Sequence, residues 1–312
     1  MKSDFNLIDR IVNFFSPGLG AKRMAFRFAQ SQVRRYEAAG HGRRTDNWRA
    51  SNSSAQAEIQ VALVTLRNRS RDLVRNNGYA KNAVRKIANN VVGAGIIPNP
   101  VLSSAPQEKR LKALWDAWAH STDCDYDGHL TFYGIQKLVM RTVVESGGCF
   151  VRKRIVKDNN LALPLQLQLL EPDFLDLTKY DQGLPDGGFI LYGVEFNKNN
   201  RIVAYWLYET HPGDSTARFN LKSNRYPIED VIYVFEKDRP GQFLGIPWLH
   251  AAMLRLKDLD EYEDAQLIRQ KIAACFSVFI TDNGPNLGNV GSGDQDLLAV
   301  HRTVNSCNLH GP

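Results

Sequence analysis

The hydrophobic period of this chain changes from about 3.6 residues to 2 at Gly147-Gly148. Residues three and four apart share a helix face, whereas residues two apart share a strand face. The chain therefore reads as helices first and strands after. Helical spacing begins near Ile59, with Leu63 and Leu66 on one face and the basic Arg67, Arg69, Arg71 and Arg75 following. Asn76-Asn77-Gly78 interrupts it. Ala80, Ala83, Val84, Ile87 and Val91 then mark a second helix that stops at Gly93, since glycine accepts the left-handed conformation that ends a helix. A third helix is predicted over about 107–119, with Leu111, Leu114, Trp115 and Trp118 on one face, and a fourth over about 132–145. Beyond the two glycines, Cys149-Phe150-Val151 opens a strand that turns basic at Arg152-Lys153-Arg154. Leu163, Leu165, Leu167 and Leu169 alternate with Pro164, Gln166 and Gln168 as a strand with one buried face. Phe189 to Phe196 and Arg201 to Tyr208 read as two strands joined by the turn Asn197-Lys198-Asn199-Asn200, and Val231 to Phe235 as a further short one. The expectation is an α+β fold: helices, then a mainly antiparallel β element.

A long helix is predicted next, from about Pro247 to Phe276. Leu249, Ala252, Leu256, Leu259, Tyr262, Ala265, Ile268, Ile272 and Phe276 lie three or four apart, eight steps over 27 residues. The mean step of about 3.4 is close to the repeat of a helix–helix seam, and the helix spans about 40 Å. A single narrow stripe on so long a helix fits packing against other helices, including those of other subunits; an ordinary core helix has the same pattern. Its centre, with Asp258, Asp260, Glu261, Glu263 and Asp264, is acidic, as solvated faces usually are.

The flanks carry neither period. Residues 1–56 contain Ser16-Pro17-Gly18, Arg/Lys-rich sequence, Gly40-His41-Gly42-Arg43-Arg44 and Ser51-Asn52-Ser53-Ser54. Little of this fills a core, so an extended basic arm is expected. After Asp282 the chain is rich in Asn and Gly. Charge follows the same division. Of 39 Lys and Arg and 33 Asp and Glu, the first 90 residues hold 17 and 6, a net of +11 in a chain whose total is +6; everything after Asn90 is net −5. The candidate polyanion surface is the first third. Cys124, Cys149, Cys275 and Cys307 form no C-x-x-C pair, which fits reduced thiols in a cytoplasm. Phe5 to Phe15 is amphipathic with charges mid-run, too short and too polar to span a bilayer or form a secretory core. No membrane association is expected.

Several motifs imitate chemical sites. Asp123-Cys124-Asp125-Tyr126-Asp127-Gly128 looks like the first half of a calcium loop, but the twelfth position, which needs a bidentate Glu, is Gly134; an Asp/Gly turn between helices is the simpler reading. His120, Cys124, His129 and Cys149 match no familiar zinc spacing. There is no G-x-x-x-x-G-K-[ST] and no G-x-S-x-G. Glu171-Pro172-Asp173 places two carboxylates after a strand, as some nucleases do, without a partner Lys or third acid at a recognisable spacing. No cofactor, metal or catalytic constellation is expected. The basic run is the distinctive feature: Arg67, Arg71 and Arg75 are four apart and share a helix face, suited to phosphates or to acidic surfaces of adjacent subunits. A solvated face with an internal pair to Asp72 is the bland alternative.

That run also carries a resemblance. Leu66-Arg67-Asn68-Arg69-Ser70-Arg71-Asp72-Leu73-Val74-Arg75-Asn76-Asn77-Gly78-Tyr79-Ala80 followed by Asn90-Val91-Val92-Gly93-Ala94-Gly95-Ile96 resembles the N-terminal signature of lambda-type bacteriophage portal proteins. Trp115-Asp116-Ala117-Trp118, Leu170-Glu171-Pro172-Asp173-Phe174, Gly193-Val194-Glu195-Phe196, Arg239-Pro240-Gly241-Gln242-Phe243-Leu244-Gly245-Ile246-Pro247-Trp248 and Leu259-Asp260-Glu261-Tyr262-Glu263-Asp264-Ala265 agree in order, from about residue 7 to 282. The resemblance implies a structural subunit, not an enzyme, of a dodecameric ring at a capsid vertex. Its partners would be copies of itself, double-stranded DNA in the channel, terminase, and the capsid, scaffold and head–tail connector proteins. It would reside in the virion, and in host cytoplasm during assembly. Residues 57–246 would form the wing, 247–276 the stem helix, and 277–312 the start of the clip. The wet face of that helix, with Arg255, Asp258 and Glu261, would face the channel. Family members continue beyond this length, so the resemblance describes a chain truncated within the clip, as in a partial subunit or a shortened prophage copy. Two alternatives stand beside it: a DNA-binding protein of another kind using the basic first third, and a metal-dependent nuclease built on Glu171 and Asp173.

Overall fold

The computed structural model describes residues 50–156, 161, 163–214 and 222–275, together with short pieces between 17 and 47. The pieces at 17–19, 21–23 and 25–26 are helical, where the sequence reading has an extended arm. Most of that arm, and residues 277–312, lie outside the described residues. From Ser54 onward the chain forms one compact unit.

Helix α1 (Ala55–Asn76) starts at Ser54, whose hydroxyl accepts the Ala57 N–H at 3.2 Å, which satisfies one of the amides a helix start leaves unpaired. It stops at Asn77, which is extended and 3% exposed. The Asn77 side chain then accepts the Ala80 N–H at 3.0 Å and so starts α2 (Gly78–Val92). One residue thus ends one helix and caps the next. Helices α3 (Ala105–His120) and α4 (Phe132–Ser146) follow. The C-terminus of α4 is fixed by Gly147, at φ 88°. A Cβ there would come within 2.5 Å of the Ile246 backbone, so the chain after the β element closes onto this glycine.

The strands in chain order are β1 (Cys149–Ile155), β2 (Leu165–Leu170), β3 (Phe189–Leu191), β4 (Val194–Phe196), β5 (Ile202–Tyr208), β6 (Ser223–Pro227) and β7 (Val231–Val234). They form two antiparallel sheets, in the orders β2-β1-β7 and β3-β4-β5-β6. The architecture is α+β. The segment read as one strand over 189–196 is a hairpin instead. Tyr192 and Gly193 both take positive φ, 52° and 76°, the pair of left-handed residues that a two-residue hairpin turn requires. The Asn197–Asn200 turn is as expected: Asn200 has φ 57°, and the Asn197 carboxamide oxygen accepts the N–H of Asn199 and Arg201 at 2.9 and 3.0 Å. Strand β6 shows no apolar alternation; it pairs with β5 and is held further by side chains from β4 and from the segment before β3. Arg225 forks onto Glu195 Oε1 and Oε2 at 2.7–3.0 Å, and Ser223 donates to Asp176 at 2.6 Å.

Neighbouring residues of β1 face opposite sides of its sheet. Phe150 enters a core of Leu63, Leu170, Leu175, Val194, Phe196, Tyr205, Leu207, Val231 and Leu244, which joins the two sheets to α1. Val151 faces the other way, into Trp118, Cys124, Ile135 and Leu167 beneath α3 and α4. A third core holds Val74, Ala80, Val84, Val144, Leu249 and Met253. The long helix reaches this core only at its base. Residues 248–251 form a 3₁₀ turn, and helix α5 runs from Met253 to Cys275, six residues later than the spacing suggests, because Leu249 is spent on closing the helical core. Beyond Met253 no residue of α5 is buried. Among the described residues, no helix is long and apolar enough to cross a membrane.

Candidate functional site

Two regions carry the residues singled out above: a junction built around α1, and the outer surface of α5. The junction begins with Arg67, which is 1% exposed. Its Nε donates to the Ser146 carbonyl at 3.2 Å and its Nη1 to the Pro172 carbonyl at 3.3 Å. These are the end of α4 and the turn after β2, so one guanidinium joins three elements. Burial lowers its pKa from the ordinary arginine value, opposed by the Tyr233 hydroxyl and by Asp173. A guanidinium is less strongly hydrated than an ammonium and keeps its charge when buried. Tyr233 is stacked on Phe150 at 4.4 Å and accepts the Gly245 N–H at 3.1 Å.

One turn later, Arg71 donates from Nε to Ser146 Oγ at 3.0 Å and from Nη2 to Asp173, and it forms an ion pair with Glu171 at 2.9 Å. Burial alone would raise the Asp173 carboxyl, but the hydrogen bond and charge of Arg71, with Arg67 and His211 behind it, bring it below the usual carboxylate range. His211, from the loop after β5, comes within 3.6 Å of Glu171 and packs edge-on to Phe174. Glu171, Asp173 and His211 place three ligand-type atoms within 4.8 Å of one another, a geometry that could hold a metal ion. The cation between the two carboxylates is Arg71. The sequence reading identified Glu171 and Asp173 but not His211, which no local motif marks.

The third arginine of the face, Arg75, is exposed. It lines a cleft of about 390 Å³ with Arg71, Lys81, Arg141, Glu145 and Glu171. Glu145 lies 3.9 Å from Arg141, and burial, only partly offset by Arg141 and Arg71, raises its pKa. Arg75 and Lys81 have no ion pair among the described residues. The expected common face is thus divided: Arg67 inside, Arg71 in an ion pair, Arg75 at the surface. The bland pairing of the run with Asp72 also differs, because Asp72 accepts from Asn76 at 2.8 Å.

On α5, the inner face rests on the α1–α2 turn. Asn77 donates to Asp260 at 3.3 Å and Tyr79 to Glu263 at 2.9 Å. Arg255, Asp258 and Glu261 are all exposed. So is most of the apolar seam: Leu259, Tyr262, Ile268 and Ile272 are 39–59% exposed. Phe276 lies outside the described residues.

The remaining motifs resolve as structure. The Asp125 carboxylate accepts the N–H groups of His129 and Leu130, both at 3.0 Å, so the calcium-like stretch is a capped turn. Burial pushes the Cys124 and Cys149 thiols up to about 11 and about 12. Among the described residues, no metal-type cluster unites them with His120 and His129.

Residues 41–305 match the family described as phage portal protein, lambda family. The chain is 28% identical over 274 residues to the probable portal protein of Halomonas phage phiHAP-1, covering 85% of this chain and 52% of that one. It is 23% identical over 257 residues to portal protein B of Escherichia phage lambda, covering 78% and 48%, and 23% identical over 259 residues to the portal protein of Escherichia phage N15, covering 77% and 48%. It spans about half the length of these curated relatives. With the signature run, the arginine junction and the long helix on one α+β chain, and a family match over most of its length, the chain belongs to the lambda family of phage portal proteins.

Proposed function

We propose that this chain is a structural subunit of a ring at the capsid vertex, through which DNA passes during packaging and ejection, and at which terminase and the head–tail connector dock. The observation that carries this reading is α5. It is 23 residues long, buries only Met253, and leaves Leu254, Leu259, Tyr262, Leu267, Ile268 and Ile272 39–72% exposed. Water is a poor neighbour for such a surface. Identical helices arranged in a ring would cover it without any other partner, because heterologous contacts between identical subunits generate a closed ring when their rotation closes. On this reading the compact part from α1 to β7 is the wing and α5 the stem, and no bond chemistry is required of the chain. Light scattering after size exclusion, with electron micrographs of the leading peak, tests it. A particle of about a dozen subunits with a central hole is the expected result; a monomer at every concentration overturns the reading.

A further inference from the structure

We propose that the cleft between α1, α2 and α4 receives the acidic outer face of α5 from a second copy of the chain, with Asp258 and Glu261 as the incoming carboxylates. This rests on the ring reading and adds to it the two surfaces that meet. Of the charges in the cleft, Arg71 is committed to Glu171 and Asp173. Arg75, Lys81 and Arg141 remain against Glu145, a local surplus of two positive charges beside the net −1 of Arg71 with its two carboxylates. The site is concave and small. A duplex, with a charge about every 1.7 Å along its axis, calls for an extended basic track; two carboxylates on a convex helix fill a cleft of this kind.

The chain supplies such a pair, which no element of the wing engages among the described residues. Asp260 and Glu263 are held by Asn77 and Tyr79 of the same chain. At about 100° per residue, Asp258 lies about 160° round the helix from Asp260, and Glu261 about 160° from Glu263. The outer carboxylates therefore point away from the wing that holds the inner ones. They are three residues apart and so adjacent on the surface. Glu261 meets only Lys257, at 3.5 Å, with both side chains about two-thirds exposed, a pairing that is easily exchanged. Finally, Asn77 and Tyr79 fall between Arg75 and Lys81 in the chain. The turn that grips its own α5 thus presents the unpaired cations beside that grip, where an adjacent copy's helix would pass.

The sequence reading turned Asp258 and Glu261 toward a channel, and charge reversal separates the two placements. The chain with R75E/K81E and the chain with D258K/E261K would be examined by light scattering, alone and as an equimolar mixture, with thermal melts to establish folding. Each alone should associate at least tenfold more weakly than the parent. The mixture should recover association, because the reversed cleft then meets the reversed helix and the native cleft meets the native one. Association of either variant at the parent's strength, as channel-facing carboxylates would give, overturns the inference; so does a mixture of folded variants that stays monomeric. A parent chain that never associates overturns the ring reading and this inference together, whereas an associating parent with indifferent variants overturns this inference alone.

Discussion

Helices α1 and α5 are almost equal in length, 22 and 23 residues, and opposite in what they bury. α1 buries Leu63, Ser70, Val74 and a full arginine. α5 leaves two isoleucines, three leucines and a tyrosine largely in water. Side-chain polarity alone orders these helices the wrong way round. The difference lies in the surroundings. Arg67 has two backbone carbonyls and a nearby carboxylate waiting for it, which offset much of the cost of its burial, although its Nη2 has no hydrogen-bond partner among the described residues. Beyond Met253, α5 buries no residue against the rest of the described chain. A helix completed within the subunit can bury charge; on the ring reading proposed above, a helix completed between subunits exposes apolar surface until assembly.

The comparison breaks most sharply at Arg67. Truncation by Arg67→Ala should cost about 3 kcal/mol in urea unfolding, since two buried carbonyls lose their donor and a cavity opens. Arg67→Met restores volume but not donors, and should recover only part of the loss. A methionine variant as stable as the parent would show that the arginine is tolerated in the core, not needed there.

Asp173 gives the next effect. Its side chain is 17% exposed, between the surface case, where an ion pair is worth at most about 1 kcal/mol, and the buried case, where breaking one costs about 3–5 kcal/mol. Asp173→Asn should therefore cost about 2 kcal/mol at neutral pH. The carboxyl is depressed in the folded chain, so its contribution is complete above the ordinary carboxylate pKa of about 3.9 and disappears as pH falls through the lower folded value. Glu145, raised chiefly by burial, works in the opposite direction, which makes the gap between parent and variant the quantity to follow. That gap should close as the solution is acidified below about pH 4; a gap unchanged down to pH 2.5 would mean that Asp173 is not an ionised partner of Arg71.

Much of this was legible before any coordinates. Helix spacing placed α1 to α4, because each buries a stripe against its own chain. The NNG break, Gly93 and the Asn197–Asn200 turn were legible because they act locally. What escaped was decided at a distance. Strand β6 has no pattern of its own and is held by Glu195 and Asp176. The Tyr192-Gly193 turn hides inside an apolar run. His211 meets Glu171 across 40 residues of chain. The arginine run was read as one face, and i,i+4 spacing does put its residues on one side of a helix; it cannot say how far along that side the core extends. The core ends between Arg71 and Arg75.

The finest test lies along α5 itself. Its apolar seam repeats every 3.4 residues or so, whereas a straight helix repeats every 3.6. The stripe therefore drifts round the helix, by about half a turn between Leu256 and Ile272. It begins facing the helical core, where Leu249 is 7% exposed and Leu256 packs at the edge, and by Ile268 and Ile272 it faces away. Folding and assembly should then read different residues of one stripe. Leu256→Ala should lower unfolding stability by about 1 kcal/mol, less than a fully buried leucine would cost. Ile272→Ala should leave it within about 0.5 kcal/mol, yet weaken self-association measured by light scattering several-fold, more than Leu256→Ala does. If Ile272→Ala instead destabilises the monomer, the outer end of α5 packs within its own subunit, and the contrast with α1 is one of degree. If it changes neither quantity, the exposed seam is not what holds copies together. Reversed rankings in the two measurements would locate the transfer from intrachain to interchain packing between Leu256 and Ile272.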